Sequence, residues 1–300
     1  MSRLRTLLSH YPELVIVLVA ATIGMTVQAP LAWLTTHDGI NALLVLLVFS
    51  TAVTIPPTAL RRAASAWRPL VVTLIVGATV LPALSWLVSR AVAAGSLRAG
   101  VMCVGLAPCE IASVATTAMA RGEPALSAGV LMGSTLTTVV IAGPVLAIES
   151  SGHVAHPTAI LVNLALVVAL PLLAGLSLRA LVPLSRAGER LAVGTATVTV
   201  AALVALIAAE IHLSVSYVAV GAALLAFLAS SALLGRIIGR RSPGATASAI
   251  LLTTSMRDFA IAASLATSAF GVQAAAPLGL YGVLVLVWGT GAAGWLRQRF

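Results

Sequence analysis

Residues 69–89 read PLVVTLIVGATVLPALSWLVS, a run of 21 residues without a charged side chain that lies between Arg68 and Arg90. An α-helix rises about 1.5 Å per residue, so a helix of this length crosses the hydrocarbon core of a bilayer, which is about 30 Å thick. We therefore predict a transmembrane helix over 69–89.

Similar apolar runs fill nearly the whole chain. Of its 300 residues 60% are hydrophobic and only 8% are charged, whereas soluble domains are about 25% charged. Lipid offers the backbone no hydrogen-bond partners, so a spanning segment has to be a helix or part of a closed barrel, and the alternation of barrel strands is missing here. We predict an all-α membrane protein with ten transmembrane helices in one integral membrane domain over 1–300. The ten segments cover 12–34, 40–60, 69–89, 97–120, 124–148, 157–178, 190–209, 213–235, 244–269 and 275–296.

The arginines predict the orientation. All 17 basic residues are arginines: 14 lie at the termini and on alternate connections, two (Arg90 and Arg98) lie on the opposite connections, and Arg257 lies inside segment 9. Basic residues accumulate on the cytoplasmic side, so we expect a multi-pass protein of the cell membrane with both termini cytoplasmic. Segment 1 also resembles a signal peptide, but its apolar run is long for one, and we expect a retained helix.

The net charge of +9 does not point to nucleic acid, because the arginines form no basic stripe and have no interleaved aromatic residues. The partners that we expect are the lipid bilayer and a small-molecule solute.

An internal repeat divides the chain into halves of about 1–150 and 151–300. A shift of 149 positions superimposes Gly122 on Gly271 and the polar residues Cys109-Glu110 on Asp258-Phe259. Five helices per half is an odd number, so the second half would enter the membrane inverted.

Three charges lie in the middle of apolar segments, where burial is costly unless a partner or a cavity is near. They are Glu110 in segment 4 and the adjacent Arg257 and Asp258 in segment 9. Pro108 removes a helix hydrogen bond, and the polar run 253–258 can replace lost backbone partners. We expect both helices to be broken, near 108–111 and 255–258, and to cross near the midplane. The candidate solute contacts are Glu110, Ile111, Arg257 and Asp258.

Two interpretations of these charges stay open, because Glu110 and Arg257 can pair with each other or contact the solute directly. Cys109 can be a soft metalloid ligand, although a buried inert thiol is the more common case. Several hydroxyl groups can bind an ion but more often serve helix packing. These are Ser113, Thr116, Thr117, Ser127, Ser134 and Thr135.

The sequence PCEIASVATTAMARGEPALS at 108–127, followed by GSTL at 133–136 and Pro144, resembles the helix 4 to helix 5 signature of the bile acid:sodium symporter family. The segment count, Pro82 in segment 3 and the end of segment 9 fall in the family's order. The resemblance implies two inverted five-helix repeats. It also implies a panel of segments 1, 2, 6 and 7, and a core of the other six segments in which helices 4 and 9 are broken and cross.

The resemblance also implies cation ligands, and these fall on Ser113, Val114, Ser127, Leu131, Thr253, Met256 and Arg257. Family members with sodium sites have Asn, Thr, Glu and Gln where this chain has Val114, Leu131, Thr253 and Arg257. If a cation site is retained, its candidates are Ser113, Ser127, Thr253 and Met256. We expect no cofactor, with sodium or a proton as the coupling ion. Glu110 stands where the family usually has a small residue, and it can be a compensating carboxylate, a proton carrier or the partner of Arg257.

These observations favour a secondary transporter of a small organic anion that works by alternating access and depends weakly or not at all on sodium. The alternative is efflux of arsenite or another metalloid, because Ala107-Pro108-Cys109 and Asp258-Phe259 are similar to motifs of arsenite exporters. We do not expect an enzyme, since paired-aspartate, Ser-His and His-Glu zinc motifs are missing. A membrane scaffold would not need three charges inside apolar segments.

Overall fold

The computed structural model describes residues 12–149, 157–211 and 215–298. Within them the chain is helical apart from turns and one isolated antiparallel bridge, which confirms the predicted all-α class. Arg3 and Arg5, on which part of the predicted orientation depends, lie outside the described residues.

The first half contains eight helices within the described residues. They are α1 (Pro12–Thr26), α2 (Gln28–Thr36), α3 (Gly39–Thr54), α4 (Pro57–Ser65), α5 (Trp67–Ser89), α6 (Ser96–Leu106), α7 (Ser113–Met119) and α8 (Pro124–Glu149).

The second half continues with α9 (Pro157–Leu164), which a π-helical turn at Ala165–Ala169 joins to α10 (Leu170–Leu181). A 3-10 turn at Val272–Ala275 precedes the final helix. The remaining helices are α11 (Arg186–Ala209), α12 (Ser216–Gly239), α13 (Gly244–Ser255), α14 (Phe259–Phe270) and α15 (Ala276–Arg297).

Six helices of the described chain are long and apolar enough to cross a membrane, and the number rises to eight if each of two sharply bent pairs is one span. The bent pairs are α1 with α2 and α3 with α4, which fall in segments 1 and 2. Segments 4 and 9 are each divided into two shorter helices. The structure therefore supports an integral multi-pass membrane protein.

Prolines explain both bends, which differ from the continuous helices predicted over 12–34 and 40–60. Segment 1 turns by 99° after Thr26, where Pro30 has no N–H to donate to the Thr26 carbonyl four residues earlier. Segment 2 turns by 77° after Thr54. Ile55 is extended there, with φ −83° and ψ 111°, as expected for a residue that precedes a proline.

We use panel for the helices of segments 1, 2, 6 and 7, and core for the helices of the other six segments. In the panel, α11 packs against α1 and α3, and α10 packs against α3. In the core, α5 packs against α6, and α12 packs against α13.

Two side-chain hydrogen bonds join the panel to the core along α14. Ser264 Oγ donates to Asn41 Oδ1 of α3 at 2.7 Å, and Asn163 Nδ2 of α9 donates to Ser268 Oγ at 3.0 Å. We call these two bonds the α14 latch. The latch connects α14, the second helix of the broken segment 9, to the panel helices α3 and α9.

Candidate functional site

The first break lies in segment 4, between the end of α6 at Leu106 and the start of α7 at Ser113. Pro108 cannot donate a helical hydrogen bond, and it disfavours a helical conformation in the residue before it. Ala107 is accordingly extended, with φ −64° and ψ 153°. The predicted interruption at 108–111 is confirmed.

The second break lies in segment 9 and has no proline. Helix α13 ends at Ser255, α14 begins at Phe259, and both Met256 and Asp258 are extended. Asp258 Oδ1 accepts from the backbone N–H groups of Ala260 at 3.0 Å and Ile261 at 2.9 Å. An aspartate that caps a helix in this way fixes the point at which the helix begins. The predicted break is confirmed at 256–258, while Ser255 is still helical.

The two breaks contact each other through the main chain, as expected for crossing helices. Cys109 and Arg257 form the antiparallel bridge. Glu110 N donates to Met256 O at 2.8 Å, and Asp258 N donates to Pro108 O at 2.9 Å. Each break therefore supplies hydrogen-bond partners that the other lost when its helix was interrupted.

Side chains of segments 5 and 10 satisfy other backbone groups at this crossing. Ser134 Oγ accepts from Cys109 N at 3.1 Å, and Thr138 Oγ1 donates to Leu106 O at 2.9 Å. Tyr281 Oη accepts from Arg257 N at 3.2 Å. Sequence reasoning missed Tyr281, although a tyrosine inside an apolar helix signals a hydroxyl that needs a buried partner.

Replacing either acceptor should destabilise the protein. Ser134→Ala and Tyr281→Phe each leave a buried backbone N–H without its acceptor, which costs about 1–3 kcal/mol. The matched control is Ser231→Ala, because the fully buried Ser231 hydroxyl donates only to Leu228 O of its own helix. Thermal unfolding in detergent should show lower melting temperatures for the first two variants than for the control. Equal melting temperatures in all three would contradict the proposed role of these acceptors.

Arg257 is 3% exposed, and its guanidinium lies on the side of the crossing that faces α5. Nη2 donates to the Ala107 carbonyl, and Nε has no hydrogen-bond partner within the described chain. A Cβ atom placed on Gly77 of α5 would lie 3.4 Å from Nη1. A methyl group there would only touch the guanidinium, so Gly77 shows that α5 passes directly beside Arg257.

Glu110 does not pair with Arg257, which corrects the salt-bridge hypothesis. The ion pair found within the described residues joins Arg179 to Glu189. The physical reason is the register of the bridge. Arg257 lies opposite Cys109, and side chains alternate between the two faces of extended backbone, so Glu110 points to the other face.

On that other face, two carboxylates share the N-terminus of α14. Glu110 Oε2 accepts from Phe259 N at 3.4 Å, and Asp258 caps the next two N–H groups. Helix N-termini carry partial positive charge, which stabilises both acids. Asp258 Oδ2 is buried and has no hydrogen-bond partner within the described chain.

Of the four candidate solute contacts, Ile111 is the one that faces the panel. It lines a cavity of about 10 Å³ between panel and core, which has room for about one water molecule. Glu110, Arg257 and Asp258 do not line it. The lining residues are Val48, Thr51, Ala52, Ile55, Ile111, Leu131, Thr135, Val168, Leu172 and Ile261.

The candidate cation ligands do not fit sodium, because a hard cation is normally held by about six oxygen ligands. Leu131 is apolar and lines the cavity. The Ser127 hydroxyl is paired with Thr117 Oγ1 at 2.8 Å, and the Thr253 hydroxyl donates to Ala249 O at 2.7 Å. Met256 Sδ accepts from Thr116 Oγ1 at 3.5 Å. Ser113 Oγ lies 3.8 Å from Cys109 Sγ, and the side-chain oxygens of this set are the hydroxyls of Ser113, Ser127 and Thr253.

Long apolar helices around two interrupted helices that meet at their breaks are typical of membrane transporters. Residues 41–225 match the model of the Sodium Bile acid symporter family, which is more than half of the chain. The chain belongs to this family, whose members are transporters rather than enzymes. The match includes the break in segment 4, whereas the break in segment 9 and Tyr281 lie beyond it. No curated protein matches the chain.

Proposed function

We propose that this protein is a secondary transporter that moves a small organic anion by alternating access, with the core moving against the panel. The observation that carries the proposal is the main-chain crossing of the two broken helices beside the panel–core cavity. Solute sites commonly measure about 300–1,000 Å³, far more than this cavity. This cavity is therefore too small for a solute, and in this proposal the panel separates from the core before a solute binds.

The surroundings of the cavity support an organic anion as the solute. Its lining is mostly apolar, with the hydroxyl-bearing Thr51 and Thr135 as the polar exceptions, and such a surface suits the hydrocarbon body of an organic acid. Arg257 is the basic residue at the crossing and lies behind the cavity rather than in it. In this proposal Ile111 and its neighbours contact the solute, while Arg257 offsets the charge of Glu110 and Asp258, which would otherwise repel an anion.

The proposal includes ten spanning helices in two inverted halves, with both termini in the cytoplasm. The alternation of arginines supports it, as does the occurrence of one broken segment in each half. Fusion of a reporter to each terminus tests the orientation. A terminus on the outside would remove the inverted-repeat argument.

Uptake should proceed without sodium. We expect proteoliposomes containing the purified protein to accumulate labelled taurocholate, or one of a set of smaller carboxylates, at similar rates in sodium chloride and in choline chloride. The reason is the loss of oxygen ligands at Val114, Leu131 and Arg257. Empty liposomes are the control. Steep sodium dependence would show that backbone carbonyls or Glu110 have rebuilt an ion site, and transport restricted to uncharged solutes would contradict the organic anion.

Metalloid efflux is the second candidate, and the position of Cys109 favours it. Its thiol is fully buried at the crossing, opposite Arg257 in the bridge. In cells that rely on this protein for arsenite resistance, Cys109→Ala would abolish that resistance, whereas Cys103→Ala would not. Unchanged resistance in the Cys109 variant would remove this alternative.

A further inference from the structure

We propose that the guanidinium of Arg257 is a built-in cation that takes the place of a coupling ion at the crossing. This inference deepens the proposed transport function and rests on it, because only a transporter needs a coupling ion. The positioning of the charge can be tested without any solute.

The guanidinium contacts a backbone carbonyl at the interrupted end of a helix. It donates to the Ala107 carbonyl, directly after the end of α6. The C-terminal end of a helix carries partial negative charge, and the ends of half-helices in transporters coordinate cations with their free carbonyls. The guanidinium therefore contacts the kind of oxygen that would otherwise face a bound cation.

The surrounding helices leave room for this group and do not neutralise it. Gly77 presents no side chain where α5 passes the guanidinium. The carboxylates of Glu110 and Asp258 are directed to the N-terminus of α14 on the other face of the bridge. Arg257 forms no ion pair within the described residues. Its positive charge therefore offsets the negative charge of the two acids across the crossing, without a contact.

A tethered charge differs from a diffusible ion in one respect that matters for transport. It compensates buried negative charge in every conformation and cannot dissociate to either side of the membrane. The crossing then needs no sodium to be stable. This accounts for Val114, Leu131 and Thr253 at positions where family members with sodium sites have other residues.

Chemical rescue provides the test. Arg257→Ala should lower the melting temperature in detergent by roughly 5–10 °C, because a charge-assisted hydrogen bond and its packing are lost. Guanidinium chloride at millimolar concentration, far below the molar range that unfolds proteins, should recover about half of this shift by binding the vacated space. Choline chloride at the same concentration should recover none. The matched control is Arg179→Ala, which removes the surface ion pair with Glu189 and should not respond to guanidinium.

A second comparison covers the case in which Arg257→Ala does not fold. Arg257→Lys keeps the charge, whereas Arg257→Met fills a similar volume without it, so the lysine variant should melt at the higher temperature. A methionine variant as stable as the wild type, or equal effects of guanidinium and choline on Arg257→Ala, would overturn the proposal. Rescue without any anion uptake by the wild-type protein would leave this inference standing and reject the proposed solute.

Discussion

A disulfide across the α14 latch is expected to abolish transport. In the double variant Asn41→Cys/Ser264→Cys, the new thiols replace two side chains that are hydrogen bonded at 2.7 Å. Alternating access requires the core to move against the panel, and a covalent bond between α3 and α14 prevents that movement. Oxidation should therefore stop uptake almost completely, and a reductant should restore it.

The matched control places the same cross-link inside the core. Thr246 Oγ1 donates to Glu123 Oε2 at 3.0 Å, and both residues belong to segments that move together in the proposed mechanism. The oxidised double variant Glu123→Cys/Thr246→Cys should keep its uptake. The native Cys103 and Cys109 are both free and buried, so they are poor competitors for the engineered thiols. Full activity of the oxidised latch variant would show that panel and core do not separate along α14.

The second large effect concerns the buried charges of the crossing. Arg257→Gln should cost about 1.5–3 kcal/mol, since a charge-assisted hydrogen bond to Ala107 is lost. Glu110→Gln should cost less, because the amide oxygen of glutamine can still accept from Phe259 N. The loss of stability in the double variant should fall short of the sum of the two single losses by about 0.5–1 kcal/mol, because the two charges act on each other across the bridge without a contact.

Melting curves of both single variants and of the double variant provide this comparison. A contact pair would behave differently, because removing both partners together can be nearly neutral. A double variant more stable than the Arg257 single variant would restore the pairing hypothesis that the geometry rejects.

Much of the crossing could be predicted from local sequence. Pro108 removes a helix hydrogen bond in segment 4, and the charges at Glu110, Arg257 and Asp258 marked the two segments that are interrupted. Pro30 and Pro56 also remove helix hydrogen bonds. The uninterrupted apolar runs around them nevertheless predicted continuous helices, so the bends in segments 1 and 2 were missed. Hydropathy measures the length of a span and not its direction.

The contacts of each charge could not be predicted, because they depend on tertiary register. A shift of one residue in the bridge would have placed Glu110 beside the guanidinium instead of behind it. Gly77 and Tyr281 come from other helices, and their roles appear only when α5 and α15 pack against the breaks. The identity of a solute depends on side chains that face the cavity. Of these, the sequence marked Ile111 as a solute contact, and Leu131 and Thr135 as positions of an ion site.

The hydrogen bonds that close the bridge are all made by the main chain, which every residue carries. Point substitutions can therefore exchange the side chains at the crossing while the frame that positions them persists. Proteins that share this main-chain frame can differ in their coupling ion and in their solute while they keep the same fold. Among such proteins, the ancestry of a protein and its physiological task are separate questions.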